Sequence, residues 1–139
     1  MTEIKIKIKK PPIYESACAA FSLDLRNIIF TYGDTIYNPS NLKLNDHTIE
    51  HEKVHMQQQG DHPDLWWGKF LRDPQFRIQQ EAEAYGRQYQ FICSKIKGRE
   101  QRFKIRWDLA RTLSGPLYGN LISRQEAEQM ILKQSGNLK

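Results

Sequence analysis

Two cysteines in 139 residues, Cys18 and Cys93, are too few and too far apart for a disulfide framework or a cysteine-rich zinc site. Both are expected to be reduced and mostly buried thiols. No apolar run approaches the ~20 residues that a membrane-spanning helix needs. The opening MTEIKIKIKK alternates lysine with isoleucine and so lacks a signal-peptide core. These absences lead to the expectation of a cytoplasmic protein with no membrane partner, virion association being a further location. Internal repeats, low-complexity tracts and linkers are also missing, so one domain over residues 1–139 is expected, long enough to bury a modest core without cross-links. What is present suits a globular chain: 27% charged and 39% apolar residues. The net charge of +5 admits nucleic acid, an anionic polymer or an acidic protein as partner without naming one, and no pattern fixes an oligomeric state.

In EIKIKIKK, Ile4, Ile6 and Ile8 alternate with Lys5, Lys7 and Lys9, the period of a half-buried strand whose lysines guard an edge. YESACAAFSL reads as a short helix. NIIFTYGDTIYNP reads as two strands around Gly33-Asp34, stopped at Asn38-Pro39. Asn45 or Asp46 caps a helix running to about Gln59, where Gly60 ends it. Pro63 and Pro74 then open two more helices, the second capped by Asp73 and running to about Lys97, with Gly86 a weak point in its middle. Phe103, Trp107 and Ala110 fall at helical spacing in REQRFKIRWDLARTL; they are expected to face the core and the arginines to face water, in preference to an RNA-binding helix. Ser123 and Glu126 form a capping box for a last helix to about Gln134, and the tail SGNLK is expected to fray.

The chemistry is concentrated in HTIEHEKVHMQQQ, residues 47–59. His51 and His55 are one helical turn apart, which brings both imidazoles to one face about 6 Å apart along the axis, within reach of one Zn²⁺. Glu52 points about 100° away and stands beside that ion, where a general base acts on a zinc-activated water attacking a carbonyl. A catalytic zinc takes a third protein ligand and leaves a position for water. QQEAEAYGRQ offers Glu81 or Glu83, which lie about 200° apart on a helix and so cannot both face one point. His47 stands one turn before His51 on the same face, but three such histidines span about 12 Å; cleft lining or a role near the Asn45 cap is expected for it. Of Trp66 and Trp67, at least one is expected in the core.

HEKVH at 51–55 followed by EAEAY at 81–85 resembles the zincin metallopeptidases, specifically their glutamate-liganded branch, the gluzincins, whose ligand glutamate begins a Glu-x-x-Ala pattern. His55-x-x-Gln58-Gln59 is similar to the ending found in small metallopeptidases of bacterial and phage genomes. The resemblance covers roughly residues 27–90. It implies a mostly helical α+β zincin-like domain with a small N-terminal sheet, one Zn²⁺ per chain on His51, His55 and Glu81, Glu52 as catalytic base, and hydrolysis of a peptide or protein substrate lying along the strand around residues 28–37. Glu83 is the fallback ligand. The carboxylate that commonly follows Glu-x-x-Ala is replaced by Tyr85, which leaves Glu50, Asp61, Asp34 or a backbone carbonyl to orient a ligand histidine. Tyr32, Tyr37, Tyr118 and His62 are the choices for an oxyanion donor. The reading from another class is a non-catalytic structural or nucleic-acid-binding protein on the same scaffold.

Overall fold

The computed structural model describes residues 4–139; Met1, Thr2 and Glu3, the start of the lysine–isoleucine segment, lie outside the described residues. Among the described residues are six α-helices and one three-stranded sheet, an α+β architecture dominated by helix. The elements are β1 (Lys5–Lys7), α1 (Tyr14–Phe21), β2 (Phe30–Tyr32), β3 (Thr35–Tyr37), α2 (Asp46–Gln59), α3 (Pro63–Arg72), α4 (Pro74–Cys93), α5 (Arg99–Leu113) and α6 (Arg124–Gln134), with a 3₁₀ turn at Pro116–Tyr118 before α6. No helix among the described residues is long and apolar enough to cross a membrane.

Gly33, at φ +63°, supplies the left-handed residue that lets β2 turn back antiparallel on β3, pairing Tyr32 with Thr35 and Phe30 with Tyr37. β1 pairs parallel to the other side of β3, giving the order β1-β3-β2. The expected half-burial of β1 is not seen: Ile6 and Ile8 are 50% and 62% exposed. β1 is a three-residue edge strand bonded only to β3, so its alternation has no layer to face. The lysines do line the edge, Lys5 reaching Asp34 at 3.3 Å.

α4 is the central element and packs against α2, α3, α5 and α6. Its N-terminus follows the sequence closely, because the Asp73 carboxylate accepts from the amides of Gln75 and Phe76 and Pro74 occupies the first turn. Asn45 holds the N-cap position of α2 without a side-chain cap bond. α4 ends at Cys93, short of Lys97, where the Arg102 guanidinium turns the chain back by donating to the carbonyls of Cys93 (2.8 Å) and Ile96 (2.7 Å). Gly86 is a contact point, since a β-carbon there would collide with the Gln134 side chain of α6. One core joins Tyr14 and Phe30 to Trp66, Trp67 and Phe70 of α3, Tyr85 and Tyr89 of α4, Leu113 of α5 and Ile131 of α6.

Two expectations for the C-terminal helices are corrected. The buried residues of α5 are Arg106, Ala110 and Leu113, while Phe103 is 45% exposed and Trp107 half-buried. Ala110 faces the core as expected, but the buried side is turned away from Phe103 and Trp107, and it carries a buried ion pair, Arg106–Glu128 at 3.1 Å. The tail does not fray: the Tyr89 hydroxyl accepts from Arg106 (2.7 Å) and donates to the Leu138 carbonyl (2.5 Å), and Asn137 N–H bonds Leu132 O at 2.8 Å.

Candidate metal centre

Helical periodicity puts His51 and His55 on one side of α2, their rings 5.0 Å apart and at 74°. α4 crosses opposite them and contributes Glu81, whose Oε1 lies 3.1 Å from His51 Nε2 and 3.1 Å from His55 Nε2. All three residues are buried, and their ligand atoms lie within 4.8 Å of one another. The 3.1 Å nitrogen–oxygen spacings are close to the ~3.3 Å edge of a tetrahedron with bonds of ~2.0–2.1 Å, and two imidazoles with one carboxylate are a zinc donor set. The residues fit the ion. Without a cation, burial lowers the basicity of His55, but the charge and hydrogen bond of Glu81 outweigh it and raise the imidazole to about 9. Burial likewise opposes ionisation of Glu81, and the two histidines overcome it and hold the carboxyl well below its ordinary range. The pocket is thus built around positive charge at the point where the three groups meet.

Both imidazoles are oriented from behind by glutamines. Gln58 donates its amide N–H to Gln80 O at 3.0 Å, which leaves its oxygen to accept from His55 Nδ1 at 2.8 Å. Gln88 bonds His51 Nδ1 through its oxygen and His47 Nδ1 through its nitrogen, each at 2.9 Å. With the Nδ1 proton held there, each Nε2 is the atom left to face a cation at the point shared with Glu81, and without a cation Nε2–H donates to Glu81. None of the carboxylates expected in this role performs it: Glu50 pairs with Arg87 and Lys53, Asp34 with Lys5, and Asp61 is exposed. Glu83, on the opposite side of α4 from Glu81, is exposed and away from the centre. His47 is half-buried behind Gln88, neither a third histidine ligand nor a wall of the cavity.

Glu52 is 6% exposed, with Oε1 accepting from the Thr31 hydroxyl at 3.0 Å and Oε2 3.8 Å from His51 Nε2. Burial raises its carboxyl above the ordinary range, and Glu81 adds to this against the pull of both histidines and Thr31. β2 is held against this carboxylate by Gln59, whose side-chain amide donates to Thr31 O (2.7 Å) and accepts from Gly33 N–H (2.8 Å), as a neighbouring strand would. Trp67 Nε1 also donates to Thr31 O, at 2.9 Å. The edge at Thr31–Gly33 is therefore filled, and the cavity is lined instead by residues 27–31, of which only Phe30 and Thr31 belong to β2; Ile28 and Ile29, expected in the strand, precede it.

The centre opens into a cavity of about 330 Å³ walled by Phe30, Trp66, Trp67, Phe70, Leu109 and Leu117. Both tryptophans are at once core and cavity wall. Of the four possible oxyanion donors, Tyr118 lines the cavity; Tyr32, Tyr37 and His62 do not. Tyr118 is joined by Tyr85, which sequence spacing does not single out for that role, their hydroxyls 3.4 Å apart. Burial, reinforced by the charge of Glu81, raises both phenols and keeps them neutral donors. The sequence signals for the missed residues are uneven: Gln88 lies seven residues beyond Glu81, two turns along the same face, and Gln58 is part of the motif ending, but nothing local marks Thr31. No protein-family model, curated protein or solved structure matches this chain.

Proposed function

We propose that the protein is a zinc-dependent metallopeptidase of the zincin type, in the glutamate-liganded branch, cleaving peptide bonds. The observation that carries this reading is the convergence of His51 Nε2, His55 Nε2 and Glu81 Oε1 on one buried point with Glu52 beside it, at the wall of an apolar cavity. Zinc held there supplies a Lewis acid that acidifies water and polarises a carbonyl. Glu52 takes the proton of the attacking water and returns it to the leaving amine, a role suited to a carboxylate whose affinity for a proton is raised by burial. Tyr118, backed by Tyr85, donates toward the carbonyl oxygen as it gains charge. The chain at residues 27–30, which leads into β2 along the cavity, aligns an extended substrate, and the aromatic walls take a large apolar side chain. Among the described residues no lysine or arginine lines the cavity to hold a terminal carboxylate, which suits an internal peptide bond.

The test is hydrolysis of a mixed peptide library followed by mass spectrometry. The zinc-loaded protein is expected to cut next to large apolar residues, and Glu52→Gln to retain zinc while losing a factor of ~10²–10⁴ in rate. Equal cleavage by Glu52→Gln and wild type would show that this carboxylate is not the base.

A further inference from the structure

The positive charge of the protein is concentrated at one end of the sequence. Residues 94–139 hold ten Lys/Arg against four Asp/Glu, a net +6, whereas residues 1–93 hold eleven against twelve, a net −1. The whole excess thus belongs to α5, α6 and their flanks, a part of the chain that supplies none of the three candidate metal ligands.

On this part of the surface two aromatic rings are left in contact with solvent. Phe103 is 45% exposed and lies nearly parallel to Trp107, with an angle of 13° and centroids 6.0 Å apart. Each ring is backed by a guanidinium, Arg106 at 5.4 Å from the Phe103 centroid and Arg124 at 4.3 Å from that of Trp107. Such cation–π contacts hold the rings in place at little entropic cost. Phe103 is also a wall of a groove of about 580 Å³ that Arg99, Gln129 and Lys139 line. Two carboxylates in the groove are already answered, Glu128 by Arg106 at 3.1 Å and Glu100 by Lys104 at 3.8 Å. Arg99, Lys139 and the exposed Arg111, which continues the Phe103–Trp107 row by one more turn, form no ion pair among the described residues.

We propose that the Phe103–Trp107 pair and the adjoining groove are a binding surface for single-stranded nucleic acid. Bases stack on the rings, and phosphates meet Arg99, Arg111 and Lys139. Flat rings reach only bases that are free of a duplex, and stacking accepts any base, so the surface tracks a strand without reading its sequence. An acidic protein segment would answer the cations but not the ring pair.

The test is fluorescence anisotropy with a labelled oligothymidylate strand, a duplex of the same length and polyglutamate as competitor. The single strand is expected to bind more tightly than the duplex and to be released steeply by salt. Phe103→Ala, at an exposed position, is expected to weaken binding about tenfold. The double variant Arg99→Gln/Arg111→Gln is expected to lower the slope of log affinity against log salt by about 1.4, at ~0.7 per phosphate contact. Zinc chelation and Glu52→Gln are expected to leave binding unchanged, which separates this surface from the metal centre. Unfolding transitions matching wild type establish that the variants are folded. Absence of binding, an affinity indifferent to Phe103→Ala in the folded variant, or displacement by polyglutamate as effective as by unlabelled strand would each overturn the proposal, the last by assigning the surface to an acidic protein.

Discussion

Gln58 and Gln88 occupy the place behind the ligand histidines where a carboxylate was expected. An amide oxygen fixes the Nδ1–H tautomer as a carboxylate does, but it brings no negative charge, so Glu81 would be the one charged ligand to a cation held here, with Glu52 beside it. Gln88→Leu removes the acceptor behind His51 and is expected to weaken zinc binding by about 10–100-fold, measured by competition with a chromophoric chelator. Spacing left Glu81 and Glu83 as alternatives, and only the resemblance to the gluzincins favoured Glu81, whereas His51, Glu52 and His55 were legible because helical spacing alone assigns them to faces. Thr31 was not, because its hydroxyl reaches Glu52 only after Gln59 and Trp67 have drawn β2 onto the helices. Gln59 could be read as part of a motif ending, but its action as a surrogate strand depends on an edge that exists only in the folded protein.

Helix boundaries were well marked wherever a cap or a proline carries the signal, as at Asp73-Pro74 and Ser123–Glu126. Helix faces were less legible. In α5 the periodicity of Phe103 and Trp107 suggested a buried side, yet the fold buries Arg106 instead, because α6 supplies Glu128 as its partner from 22 residues away. Glu128→Ala leaves that guanidinium buried and unpaired, and is expected to cost about 3–5 kcal/mol in chemical denaturation. Gly86 shows the same limit. Read locally it is a weak point that alanine should improve by up to ~1 kcal/mol; read in the fold it is where α4 and α6 come closest. Gly86→Ala is expected to destabilise by about 1–3 kcal/mol through overpacking, measured by the urea midpoint. A rise in the midpoint would show that Gln134 yields.

At the scale of the whole molecule the metal centre and the core are one construction. His51 and His55 come from α2, Glu81 from α4, and Trp66 and Phe70 of α3 pack on the His55 ring. Zinc bound across α2 and α4 would therefore stabilise the packing of the helices that supply the three candidate ligands. At a free concentration a hundred times its dissociation constant it is expected to add about 2.7 kcal/mol to unfolding, seen as a raised melting temperature that chelation reverses. The α+β class and most elements could be anticipated from periodicity and turn residues. The filling of the strand edge, the pairing inside α5–α6 and the anchored tail depend on contacts between distant segments. Elemental analysis of the protein, purified without a histidine tag and equilibrated with zinc, alongside His55→Ala and Glu81→Ala, decides whether His51, His55 and Glu81 hold a metal. One zinc per chain in the wild type, lost from both variants while each keeps its helical content, is the predicted result. A wild-type protein that takes up no zinc, or variants that hold it equally well, would contradict the assignment of this site.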